Sequence, residues 1–156
     1  MTGSSASGRA WRLAGALCGL VVVLDQAAKA AIEANLAPGE RVEVLGPLEL
    51  TLSHNSGVAF GLAAGGGVGL VLLTAAALGV VAAIFAGNPT RPWMWVAAGL
   101  LAGGALGNLA DRIRAGAVTD YVLIGNWPAF NLADAAVTCG VLLLAFSFVR
   151  EPTGDG

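Results

Sequence analysis

The sequence predicts an all-α membrane protein, with four transmembrane helices, a small extracytoplasmic β-hairpin and an outer amphipathic loop. Three observations predict it. Of 156 residues, 56% are hydrophobic and 12% charged, whereas soluble domains carry roughly a quarter charged residues. Mean hydropathy is +0.77, and four stretches reach the length of about 20 residues that a helix needs to span the hydrocarbon core. The 23 glycines supply the small residues that let membrane helices approach closely.

Taken in order, residues 1–8 read as a disordered tail. The first span, about 11–35, is apolar to Leu24 and then mixed, with Arg9 and Arg12 before it. Residues 40–53 alternate: Val42, Val44, Leu48, Leu50 and Leu52 point one way, and Arg41, Glu43, Glu49 and Thr51 the other. Alternation on both sides of Gly46-Pro47 predicts a hairpin. It belongs on the outer membrane surface, because open strand edges cannot face lipid. The second span, 68–86, carries no charge. Asn88-Pro89-Thr90-Arg91-Pro92 links it to the third, about 93–110. The fourth, about 131–149, has Asp134 near its start and Arg150 after it, and 152–156 reads as a second disordered tail. The whole chain is one integral membrane domain.

Four spans put both termini on one side, which the positive-inside rule makes cytoplasmic. The count itself is tied: Arg9, Arg12, Arg91 and Arg150 against Lys29, Arg41, Arg112 and Arg114. The tie breaks because Lys29, Arg112 and Arg114 sit among carboxylates in the chain. Net charge is -2, which excludes nucleic acid as a partner. Cys18 and Cys139 lie in apolar runs and make neither a disulfide framework nor a zinc site. Gly15-Ala16-Leu17 does not make Cys18 a lipobox cysteine, and the first apolar run passes into Asp25 and Lys29 without a cleavage site.

The charges fall at one depth. Asp25 lies about 20 Å along a helix from Arg12, in the outer half of the membrane, and Lys29 follows at the i,i+4 spacing that pairs acid with base. This pairing predicts that removing Lys29 alone costs more than removing both residues. Asp111 lies about 27 Å along the third span from Trp93. Asp120 is in the outer loop and Asp134 opens the fourth span. Ionisable groups at such depths usually mark function.

Two facing carboxylates share a proton. One activates water and the other polarises a carbonyl, with no covalent intermediate. Asp120 and Asp134 are separated by a segment containing Gly125, Asn126 and Pro128, which can fold back to join them. Other hydrolytic chemistries fare worse. His54 is the single histidine, H-E-x-x-H and G-x-S-x-G are absent, and Ser53 and Ser56 are merely its neighbours. His54 reads as an interfacial hydrogen-bonding residue. No metal or cofactor is called for.

At these residues the sequence resembles the signal peptidase II family of bacterial lipoprotein signal peptidases. "LDQAAKA" is similar to its D-Q-x-x-K segment and "HNSGVAFGL", with Asn55 and Gly57, to its N-x-G-x-A-F block. "GGALGNLADRIRAGAVTDYV" resembles its G-N-x-x-D-R…V-x-D-F block, with Tyr121 where phenylalanine is usual. "FNLADAAV" resembles F-N-x-A-D-x-x-I, with Val137 for isoleucine. The four blocks, in order, cover nearly the whole chain.

The resemblance implies an aspartic endopeptidase of the bacterial inner membrane, cutting diacylglyceryl-modified prolipoproteins just before the lipidated cysteine. It implies Asp120 and Asp134 as the catalytic pair. Asn55, Gly57, Asn108, Asp111, Arg112 and Asn131 are the supporting residues, and Asp25 and Lys29 a structural or substrate-orienting pair. Arg112, beside Asp111, is expected to hold the loop carrying Asp120. Prolipoprotein and membrane lipids are the implied partners, and the chain is expected to act as a monomer. Two other readings compete: a small transporter with an Asp/Lys proton relay, and a scaffold held by Gly/Ala packing.

Overall fold

The computed structural model describes residues 2–57 and 68–149. It comprises α1 (Thr2–Asn35), β1 (Arg41–Leu45), β2 (Leu48–Asn55), α2 (Val68–Gly87), α3 (Met94–Ala115), β3 (Val118–Ile124) and α4 (Leu132–Val149). The predicted C-terminal tail, and the part of the second motif beyond Gly57, lie outside the described residues.

α1, α2 and α4 are long and apolar enough to cross a membrane. α2 buries Phe85 and exposes Val68, Leu72, Leu73 and Val80. A helix that is apolar all round and largely uncovered belongs in lipid. α3 is not in that set, although at 22 residues it is about 33 Å long. It ends in Asn108, Asp111, Arg112 and Arg114 and carries buried Gly99, Gly103, Gly104 and Gly107. Its environment is protein: it packs against α1, α2 and α4.

Close packing around α3 rests on absent side chains. A Cβ on Gly103 would come 2.7 Å from the Val21 Cβ and 2.9 Å from the Cys18 carbonyl oxygen of α1. A Cβ on Gly104 would strike the backbone carbonyl of Ala133 in α4. Backbone cannot yield as a side-chain tip can, so Gly104→Ala is expected to push α4 away and cost about 1–3 kcal/mol. A detergent melt checks this. An unchanged melting temperature would mean that the α3–α4 contact is looser than drawn.

The structure changes two expectations about the ends and the outer layer. α1 begins at Thr2, where the sequence predicted a disordered tail. Residues 2–10 contain no proline, and helix extends cheaply from an already formed segment. The β-layer is a three-stranded antiparallel sheet, ordered β1-β2-β3, not a two-stranded hairpin beside a loop. β3 comes from the predicted loop and pairs with β2, Ser53 opposite Asp120 and Asn55 opposite Val118. The expected alternation in β1 does not bury a face, since every β1 residue is exposed. β1 is an edge strand whose register slips between Glu43 and Leu45. At its turn, Gly46 has φ +55°, and proline's fixed φ follows, which suits a two-residue hairpin connection.

Beyond β3 the chain folds back. Phe130 bonds to Val122 in both directions, at 2.8 and 3.0 Å, and its carbonyl also accepts from the Tyr121 N–H at 3.0 Å. This closure delivers Asn131 and the start of α4 alongside Asp120.

Candidate active site

The N-terminus of α4 organises the site. A helix start leaves its first amides without partners, and here side chains take each in turn. Leu132 N–H donates to the Tyr121 hydroxyl at 3.2 Å, Ala133 N–H to Asp25 Oδ1 of α1 at 3.0 Å, and Asp134 N–H to Asn131 Oδ1 at 2.9 Å. Asn131 N–H donates back to Asp134 Oδ2 at 3.2 Å. This is a reciprocal capping box. It fixes the Asp134 carboxylate at the positive end of the helix dipole.

Asn131 also reaches the second carboxylate. It is fully buried, and its Nδ2 donates to Asp120 Oδ1 at 2.8 Å. One asparagine therefore holds both aspartates. Asn55 Nδ2 donates to Asp120 Oδ2 at 3.1 Å, and Asn55 Oδ1 accepts from Gly57 N–H at 3.0 Å. With φ +74° at Gly57, that turn orients the Asn55 amide. Asn108 Nδ2 donates to Asp134 Oδ1 at 2.8 Å, while Asn108 Oδ1 accepts from Lys29 at 2.9 Å and Asn131 at 3.1 Å.

The two carboxylates differ in setting. Asp120 is 3% exposed. Burial pushes its carboxyl up to about 6, against the opposing pull of the Asn55 amide, and the neighbouring Asp134 charge adds to the rise. Asp134 borders a hollow of about 350 Å3 between α2, α3 and α4, with Leu73, Ala77, Arg112 and Val137 on its walls. One carboxyl is thus dry and the other borders an open groove of mixed polar and apolar lining. Such a pair suits general acid–base attack of water on a carbonyl.

The profile of the family described as signal peptidase (SPase) II matches residues 17–150. The chain belongs to the signal peptidase II family. It is 41% identical over 134 residues to the lipoprotein signal peptidase of Pelotomaculum thermopropionicum, covering 85% of this chain and 88% of that one. It is 41% identical over 140 residues to that of Moorella thermoacetica, covering 87% and 91%. A solved bacterial membrane enzyme, determined by the in meso method at 1.9 Å, superposes with a TM-score of 0.82 at 30% identity, over 88% of this chain and 93% of that one.

All ten residues singled out from the sequence contribute to one connected region, with two changes of role. Asp25 and Lys29 are not an isolated pair. Lys29 Nζ lies 2.8 Å from Asp25 Oδ2, 2.6 Å from Asp111 Oδ2 and 2.9 Å from Asn108 Oδ1. Arg112 does not pair with Asp111. Arg114 does, at 3.1 Å, because residues three apart share a helix face and adjacent ones do not. Arg112 Nη1 stands 3.5 Å from the Asn108 carbonyl, and its Nε is buried with no hydrogen-bond partner among the described residues.

The loop is instead tied down by Asp111 itself, which accepts from Thr119 N–H at 3.4 Å, and by Thr119 Oγ1 donating to Glu33 at 2.6 Å. Sequence reasoning missed Glu33, Thr119 and Gln26, whose Nε2 donates to Asp111 at 2.9 Å and whose Oε1 accepts from Arg114. Gln26 was signalled by its place between Asp25 and Lys29 in the family motif. Tyr121 is more than a conservative variant, because the hydroxyl that caps Leu132 is the atom phenylalanine lacks.

Proposed function

We infer that the chain is an aspartic endopeptidase of the bacterial inner membrane, which removes signal peptides from prolipoproteins carrying diacylglycerol on the lipobox cysteine. The observation that carries the catalytic assignment is Asn131 bonded to both Asp120 and Asp134. The proton-relay transporter reading is not favoured for a member of a peptidase family.

In the resting site the shared proton sits on buried Asp120. Asp134, at the start of α4, takes a proton from a water in the groove. The water oxygen attacks the scissile carbonyl while Asp120 gives its proton to the carbonyl oxygen. The tetrahedral diol then returns a proton to Asp120, the C–N bond breaks, and Asp134 protonates the leaving amine. Asn131 and Asn108 hold the carboxylates in place throughout.

α3 serves as a fourth membrane crossing, shielded from lipid by its neighbours. Both termini lie on the cytoplasmic side, which puts the aspartates near the outer face at a depth fixed by the helices. The substrate's acyl chains fix the cysteine at the matching depth, each buried CH₂ contributing roughly 0.8 kcal/mol. A single chain supplies the whole site, in keeping with a monomer.

This depth argument has a direct test. An unlipidated prolipoprotein should be cut far more slowly than the lipidated form, with the loss in kcat as well as KM, because anchoring places the scissile bond. Similar kcat/KM for the two would show that the site reads peptide alone.

The reaction should also depend on pH with a definite sign. Activity needs Asp120 protonated, so kcat/KM in detergent should fall as pH rises through about 6. The limb in kcat should lie higher, since bound substrate dries the site further. Activity that climbs steadily with pH across this range would reverse the assignment of acid and base.

A further inference from the structure

At the end of the bundle opposite the aspartates, α1 and the link between α2 and α3 border an open hollow of about 710 Å3. Arg9, Arg12 and Arg91 line it, and among the described residues no carboxylate does. Among the described residues none of the three arginines makes a salt bridge. Arg9 and Arg12 are three apart on α1 and share a face. Arg91 is held over the Phe148 ring, 4.5 Å from its centroid, and its Nε is buried with no hydrogen-bond partner among the described residues.

A second feature points into the same hollow. α3 starts there, at Trp93, with no side-chain cap. The start of α4 is capped by Tyr121, Asp25 and Asn131; the start of this 22-residue helix is not. Met94 N–H donates to the Arg91 carbonyl at 3.2 Å, and the helix dipole favours an anion at this end. Trp93 lines the hollow, and Trp93 and Trp11 are 51% and 46% exposed. Tryptophans of this kind mark the headgroup level of a bilayer.

We infer that this hollow binds the phosphate-bearing headgroup of an anionic membrane phospholipid. Guanidinium forks match phosphate oxygens in pairs, and the volume lies within the ordinary range for ligand sites. Three cations gathered with no counter-charge among the described residues repel one another, and a bound anion relieves that repulsion. The bound headgroup would tie the start of α1 to the start of α3, at the end of the bundle that lacks the ion pairs of Lys29 and Asp111.

The test uses the purified full chain in neutral detergent with phosphatidylglycerol, phosphatidylcholine or inorganic phosphate added. Native mass spectrometry reads bound lipid, and thermal unfolding reads stabilisation. Phosphatidylglycerol should be retained and should raise the melting temperature by several degrees. An Arg9→Gln/Arg12→Gln/Arg91→Gln variant should retain it at least about tenfold less, with prolipoprotein cleavage in detergent unchanged. Arg91→Lys, which keeps the charge and loses the fork, should fall between. If the triple variant does not fold, Arg91→Gln alone is read by retention. Equal retention of phosphatidylcholine, an unchanged variant, or equal stabilisation by inorganic phosphate would each overturn the proposal.

Discussion

Replacing either aspartate with asparagine is expected to lower kcat by at least about a thousandfold, and the two variants should differ in stability. Asp134→Asn keeps one acceptor oxygen and turns the other into an NH₂ facing the Asn131 N–H or the Asn108 amide. It loses half of its helix cap, at a cost of about 1 kcal/mol. Asp120→Asn goes the other way. The folded state raises the Asp120 carboxyl from 3.8 to about 6. Folded protein therefore keeps a proton that unfolded chain has already lost.

Stability from this group is full below about pH 4, falls between about 4 and 6, and stays at the lower level above. Two pKa units correspond to about 3 kcal/mol. An amide at position 120 escapes that loss, less whatever it forfeits in facing Asn131. Above pH 6 the Asp120→Asn variant should therefore be inactive yet at least as stable as the parent, by peptidase assay and melt in the same detergent. Near-normal turnover in either variant would remove the dyad. A marked loss of stability in Asp120→Asn at neutral pH would show that the residue is an ordinary structural carboxylate.

The helices were legible because lipid imposes a simple rule: a stretch of about 20 apolar residues in a row must be spanned or buried. α2 and α4 obey it in full, and their predicted bounds lie within about two residues of the observed ones. α3 obeys it less well, since protein covers it. Its buried Asn108 and Asp111 are read by neighbouring helices and not by a solvent, and no hydropathy pattern reports that. The start of α1 was missed for a related reason. Ala, Ser and Gly at residues 3–8 carry little pattern of any kind.

The sheet was half legible. Alternation exposed β1 and β2, but β3 reads VTDYVLI, and its burial runs nearly unbroken from Val118 to Tyr121. A strand buried on both faces loses its period-two signature. Its pairing with β2 is a long-range event, and that pairing sets Asp120 beside Asn55's strand. The site residues themselves were legible as types and levels. Which arginine meets Asp111 was a question of helix phase: position 114 faces it and position 112 does not.

Lys29 shows where local spacing falls short, and it carries the second large expected effect. Read alone, the i,i+4 spacing from Asp25 predicts a self-contained pair, so that removing both residues would be milder than removing one. The structure gives Lys29 three partners and Asp25 two duties. Lys29, 2% exposed, also neutralises Asp111 and fixes the Asn108 amide that donates to Asp134. Asp25, fully buried, also caps α4 at Ala133. Lys29→Ala leaves Asp25 without its cation and Asp111 with partly exposed Arg114, which predicts a loss of about 3–5 kcal/mol. Adding Asp25→Ala removes one stranded charge but uncaps α4 and leaves Asp111 as it was, so the double variant should be no more stable than the single. Because Asn108 is then free to turn away from Asp134, kcat should fall more than KM changes in whatever fraction folds. Melts and kinetics of the two variants in one detergent decide it: recovery of both stability and kcat in the double variant would restore the isolated pair and break the link from Lys29 through Asn108 to Asp134.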